Sequence, residues 1–146
     1  MLKPPYITTI HHAGHACLRL ANHHGTAIIA MHGAQLLAWV PTGQRDVLWL
    51  SPAALPEPAA IRGGVPVCWP WFAKQGTPDG GMQHGPVRNR PWVVSQVQAA
   101  DDARVCLTLT PSPSADAADP LHRFAPLLDV SLTVDLGDCL IQTLHS

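Results

Sequence analysis

Proline and glycine interrupt this chain so often that long helices have no room to form. There are 15 prolines and 11 glycines in 146 residues, and a proline inside a helix removes a backbone donor and clashes with the preceding turn. The stretches between these breaks have the two-residue period of strands. Val130-Ser131-Leu132-Thr133-Val134-Asp135-Leu136 alternates apolar and polar without interruption, and so does Val105-Cys106-Leu107-Thr108-Leu109-Thr110. Such alternation sets one face against a core and the other toward water. Shorter strands are predicted over Cys17–Ala21, Thr26–Met31, Gln35–Val40, Val47–Leu50, Trp92–Gln98 and Leu140–Leu144. The turn residues of Asn22–Gly25, His32-Gly33, Pro41–Gly43, Ala100–Ala103 and Leu136–Cys139 separate them, and Pro111–Pro120 reads as a loop. The expectation is an all-β, antiparallel fold in one domain over 1–146.

Charged residues make up 13% of the chain and the formal net charge is −1. That balance excludes charge-driven disorder and gives a nucleic-acid backbone little to bind. No apolar run approaches the roughly 18 residues of a membrane span. Met1–Tyr6 lacks the apolar stretch of a secretory signal. A soluble, cytoplasmic protein is therefore expected, with no nucleic acid and no membrane among its partners. The four cysteines, Cys17, Cys68, Cys106 and Cys139, are far apart and form no C-x-x-C pair. They read as free thiols, mostly buried.

Two stretches carry unusual chemistry. Ala60-Ile61-Arg62-Gly63-Gly64-Val65-Pro66-Val67-Cys68-Trp69-Pro70-Trp71-Phe72 sets an arginine beside two glycines, then three aromatics among prolines. Glycines allow close backbone approach to a ligand. Arg62 could grip an anion bidentately, and Trp69, Trp71 and Phe72 could wall a sugar ring. The plainer reading makes the tryptophans core. Gln83-His84-Gly85-Pro86-Val87-Arg88-Asn89-Arg90-Pro91-Trp92 follows, an amide, an imidazole and two cations around a glycine–proline turn. In an extended segment Arg88 and Arg90 would share a face. Lys and Arg total only 9, so the closeness of Arg62, Lys74, Arg88 and Arg90 points to an anion site. The plainer reading here is a solvated turn.

These two stretches, preceded by Val47-Leu48-Trp49-Leu50-Ser51-Pro52, closely resemble the hexose-6-phosphate mutarotases, the glucose-6-phosphate 1-epimerases of the aldose 1-epimerase superfamily. The family motif reads H-G-F-A-R-x-R-P-W, and here Pro86 and Val87 occupy its middle. A family turn of glycine, alanine and histidine appears as Gly33-Ala34-Gln35. The resemblance implies a galactose mutarotase-like β-sandwich with a sugar lying across a concave sheet. It assigns Arg62, Gln83 and Arg88 to substrate binding, with the arginines on the phosphate, and makes Trp69, Trp71, Phe72, His84 and Arg90 candidates for lining the sugar site. The implied reaction interconverts the α and β anomers of a hexose 6-phosphate. A carboxylate takes the O1 proton while a histidine protonates the ring oxygen, so no cofactor and no metal are expected.

In that family the catalytic histidine and glutamate lie in the second half of a chain about twice this length, so this one resembles the N-terminal half. His84 and His145 are the weaker candidates for the acid, His84 reading better as a positioning group. Exposure of Val130, Leu132 and Val134, with self-association, is expected of a partial sandwich. Two other functions stay open, a non-catalytic sugar-phosphate binding module and a histidine-based metal protein. For the latter, His11, His12, His15, His23 and His24 would be ligands, although they fall on strand ends and turns.

Overall fold

A computed structural model of the chain describes residues 6–74, 82–99, 104–112, 118–119 and 129–146. Eight strands are present among them: β1 (Ile7–His12), β2 (His15–Asn22), β3 (Gly25–Ala30), β4 (Leu36–Pro41), β5 (Trp92–Ala99), β6 (Val105–Pro111), β7 (Ser131–Leu136) and β8 (Leu140–His145). They form two four-stranded antiparallel meanders, ordered β1-β2-β3-β4 and β5-β6-β7-β8. No helix of the described residues is long and apolar enough to cross a membrane.

The alternation read in the sequence fixes which face of β6 and β7 turns inward. Val105, Leu107, Leu109, Leu132, Val134 and Leu136 are buried, whereas Cys106, Thr108, Thr133 and Asp135 are only partly so. They pack against Leu18, Leu20, Ala27, Ile29 and Leu36 of the first sheet, with Trp92 in the same core. Asn22 at the end of β2 joins the sheets by donating from Nδ2 to Leu136 O at 2.9 Å. His24 Nδ1 lies 3.1 Å from Asp138 Oδ1 at the same end.

The first sheet is covered on its other face too. Cys17, Ala30 and Leu37 pack there against Ile61, flanked by Leu50, so the segment after β4 folds back over the sheet. Burial pushes the Cys17 thiol up to about 11, and the four thiols are all free. Cys139 is exposed and Cys68 and Cys106 are half-buried, so burial is less general than the composition suggested.

Several expectations need correction. Val130, Leu132 and Val134 are buried, because the first sheet covers them. Among the strands, exposed large apolar side chains lie on the edges of the second sheet, Val93, Val94 and Val97 on β5 and Ile141 and Leu144 on β8; others, among them Trp49, Leu55 and Phe72, lie in the segment between β4 and β5. Val47–Leu50 is not a strand. Its sole ladder contact among the described residues is the isolated bridge Leu50↔Gly63. Conversely, Ile7–His12 is a strand that the periodicity does not announce; it pairs with β2 through the two-residue turn Ala13-Gly14, both residues at positive φ. Residues 100–103 and most of 111–120 lie outside the described residues.

Candidate functional site

The two unusual stretches interlock. His84 N donates to Ala73 O at 2.9 Å, and Ala73 N donates back to His84 Nδ1 at 3.0 Å. Trp71 Nε1 donates to Met82 O at 2.7 Å. Gly85 sits at φ +78 so close to the next segment that a Cβ there would lie 1.8 Å from Trp69 O. Because Nδ1 of His84 accepts, the tautomer assigned to its neutral ring carries the proton on Nε2, where it is a hydrogen-bond donor. The aromatics do not form one wall. Trp69 packs onto the core, while Phe72 is 67% exposed and meets His84 edge-on at 4.9 Å.

Arg62 projects from a turn built on close backbone contacts. Gly64 lies at φ +61, where a Cβ would sit 2.1 Å from Leu36 O. Gly64 N donates to Trp49 O, Val65 N to Leu36 O and Ser51 N to Arg62 O. Arg62 itself is exposed, as is Gln83.

Arg88 and Arg90 do not share a face. Pro86–Arg90 is a run of turns rather than an extended strand, and the two guanidinium groups go to different partners. Arg88 is 8% exposed; its Nη1 donates to Gln35 Oε1 at 2.5 Å and its Nη2 to Ile61 O at 3.2 Å. Burial draws its pKa down from the usual arginine value. Arg90 forms a buried ion pair with Asp119. Gln35, buried in the turn before β4, completes the cluster by donating from Nε2 to Ile61 O at 3.1 Å and Gly63 O at 2.5 Å. Neither Gln35 nor Asp119 stood out as a site residue. Gln35 left a trace in the Gly33-Ala34-Gln35 turn, whereas Asp119 sits in a loop without periodicity.

His145 ends β8, exposed, with Nε2 3.2 Å from Thr133 Oγ1. It borders an open polar hollow with Ser95, Thr108, Asp129 and Ser131. Antiparallel order brings it to the end of the second sheet where β5 begins, just after Arg90. Of the other histidines, the rings of His23 and His24 lie 3.8 Å apart and tilted by 40° at a hairpin tip, and His15 Nε2 contacts Leu55 O at 2.9 Å. Among the described residues no three His, Cys, Asp or Glu side chains converge as metal ligands.

His32 lies beside this cluster, 7% exposed, and its Nε2 has no hydrogen-bond partner among the described residues. Burial holds its pKa below the ordinary 6.5, with His15 and Arg88 adding to the effect and Glu57 opposing it. The unfolded chain then binds a proton that the folded one refuses. His32 therefore contributes stability that is present above about pH 6.5 and lost as pH falls toward the lower folded value. Urea midpoints measured from pH 7.5 to 5 should fall on the acid side, and His32→Gln should flatten that limb. An unchanged limb would show that His32 protonates freely in the folded state.

The chain matches the family model described as aldose 1-epimerase over residues 16–145. A protein of Escherichia coli (strain K12) with the provisional name glucose-6-phosphate 1-epimerase is 47% identical over 91 residues, 59% of this chain and 30% of that protein. A Cenchrus ciliaris protein of the same provisional name is 37% identical over 118 residues, 76% of this chain and 33% of that one. Among solved structures, HI1317 superposes with a TM-score of 0.74 at 29% identity, covering 99% of this chain and 49% of its own. A Salmonella typhimurium protein, YeaD, provisionally titled a mutarotase, gives 0.69 at 31% identity, covering 90% and 43%. The chain thus spans about half the length of the solved relatives, and its two sheets are those of a mutarotase-like β-sandwich.

Proposed function

The chain belongs to the aldose 1-epimerase family, and we propose that it supplies the anion-gripping part of a site for hexose 6-phosphates. The observation that carries this reading is the exposed guanidinium of Arg62, standing on a turn whose carbonyls are bonded from beneath. A phosphate accepts charge-assisted, often bidentate hydrogen bonds from such a group. Gln83 adds a neutral donor, and His84 Nε2 can meet a sugar hydroxyl. Arg88, expected with Arg62 on the phosphate, acts here from behind the turn, because Gln35 and Ile61 engage both of its terminal nitrogens.

The reaction of the full architecture is anomer exchange by acid–base ring opening. This chain is expected to bind without turning over, because it spans about half the length of the solved relatives and the resemblance places the family's catalytic histidine and glutamate in the other half. No cofactor enters the scheme, and the partner is the small sugar phosphate alone.

Calorimetric titration tests the binding. Glucose 6-phosphate should bind more tightly than glucose, and Arg62→Ala should weaken the phosphorylated sugar about tenfold or more, since a charge-assisted bond contributes about 1.5–3 kcal/mol. Equal losses on both sugars would remove the phosphate from Arg62. Polarimetry on fresh α-glucose 6-phosphate should show no more than the spontaneous rate. Acceleration abolished by His84→Ala or His145→Ala would place the acid within this chain.

A further inference from the structure

We propose that Gln35 is a positioning residue for Arg62, holding the peptide carbonyls on either side of it so that the guanidinium meets an anionic sugar in one orientation. The inference rests on the sugar-phosphate reading and adds to it a residue that never touches the ligand.

Gln35 is fully buried, yet every hydrogen-bonding group of its carboxamide is used around Arg62. Its two Nε2 hydrogens go to Ile61 O and Gly63 O, the carbonyls before and after that residue. Its Oε1 accepts from Arg88 Nη1, and Arg88 Nη2 reaches back to Ile61 O. The amide orientation is fixed by these partners, because the flipped group would set oxygen against two carbonyls and an NH2 against a guanidinium. Arg62 O is meanwhile held by Ser51 N at 3.0 Å. Carbonyls 61, 62 and 63 are therefore all bonded, although the side chain between them stands in water. A buried polar network in which every member is satisfied is rigid, and a rigid base lowers the ordering cost when the exposed arm binds. The backbone of Gln35 is anchored as well, its own carbonyl accepting from Ala30 N at 2.8 Å.

Glutamate is the informative replacement. Gln35→Glu keeps an acceptor for Arg88 but offers no donor to Ile61 O or Gly63 O. Gln35→Met keeps the shape and removes all three bonds.

The test is calorimetric titration of the 146-residue chain with glucose 6-phosphate and with glucose. The proteins are the unaltered chain, Arg62→Ala, Gln35→Glu, Gln35→Met and the double variant Arg62→Ala/Gln35→Met, each checked for folding by circular dichroism. Each Gln35 variant should weaken glucose 6-phosphate about tenfold and leave glucose nearly unchanged. The double variant should bind no more weakly than Arg62→Ala, because Gln35 acts through Arg62. Where Gln35→Met fails to fold, Gln35→Glu, which retains a partner for Arg88, carries the comparison. Losses that multiply in the double variant, or that fall equally on both sugars, would overturn the positioning role in favour of a general structural one. Binding that needs Arg62 but ignores both Gln35 variants overturns the inference alone. No binding by the unaltered chain, or binding indifferent to Arg62, overturns the sugar-phosphate reading and the inference with it.

Discussion

Gly85→Ala should lower the thermal midpoint of this chain by roughly 6–12 °C, the equivalent of about 3 kcal/mol at this size. Two costs add. At φ +78 an L side chain pays about 1–2 kcal/mol for the left-handed backbone. The new methyl would also stand 1.8 Å from Trp69 O and 3.1 Å from Pro70 N. Those are backbone atoms, so relief requires the two interlocked segments to separate, at an overpacking cost of about 1–3 kcal/mol. Gly43→Ala is the matched control, having φ +76 and nothing within 4 Å of the added carbon. It should lose only the backbone share. If the two variants melt together, the contact between Gly85 and Trp69 is not part of the folded protein. Ligand binding through Arg62 should weaken in Gly85→Ala as well, because Arg88 follows three residues later on the same turn.

Trp92→Ala should cost about 3–5 kcal/mol, the range for truncating a buried aromatic. Among the described residues Trp92 is the largest of the fully buried side chains. It joins the core shared by both sheets, and its Nε1 donates to Val87 O at 3.0 Å. That bond ties the base of β5 to the segment that places Arg88. Trp92→Phe separates the two contributions: it keeps most of the packing and loses the donor, for about 1–2 kcal/mol. Chemical denaturation of the three proteins measures both steps. A Trp92→Phe loss as large as that of Trp92→Ala would assign the whole effect to the hydrogen bond.

Local pattern decided the class of fold. Alternation along β6 and β7 reflects the geometry of a pleated strand, in which successive side chains must point to opposite faces. It predicted which of Val105–Thr110 and Val130–Leu136 turn inward before any partner was known. The Asn22–Gly25 turn was legible for a similar reason: Asn22 Oδ1 accepts from the backbone of His24 and Gly25 within four residues. The Arg-Gly-Gly and His-Gly runs were legible as motifs, because their glycines answer to backbone geometry within their own turns.

The two arginines escaped this kind of reading. Arg62 and Arg88 are the same residue type in motifs of equal prominence, and both were assigned to the phosphate. Arg88 is inside because Gln35, 53 residues earlier, offers an oxygen to it. Arg62 is outside, and the same amide bonds the carbonyls on either side of it rather than its side chain. Val130, Leu132 and Val134 follow the same logic. Their inward direction was set by period two, whereas their burial depended on the first sheet lying across them. Ile7–His12 became a strand through its register with β2, whereas Val47–Leu50 did not, its ladder contact among the described residues being the isolated bridge at Gly63. The sequence by itself determined the strand class and the faces of its regular strands, and it singled out the arginines proposed to hold an anion. The tertiary structure decided which of those residues meet solvent, because burial and hydrogen-bond partnership are set by groups far away in the chain.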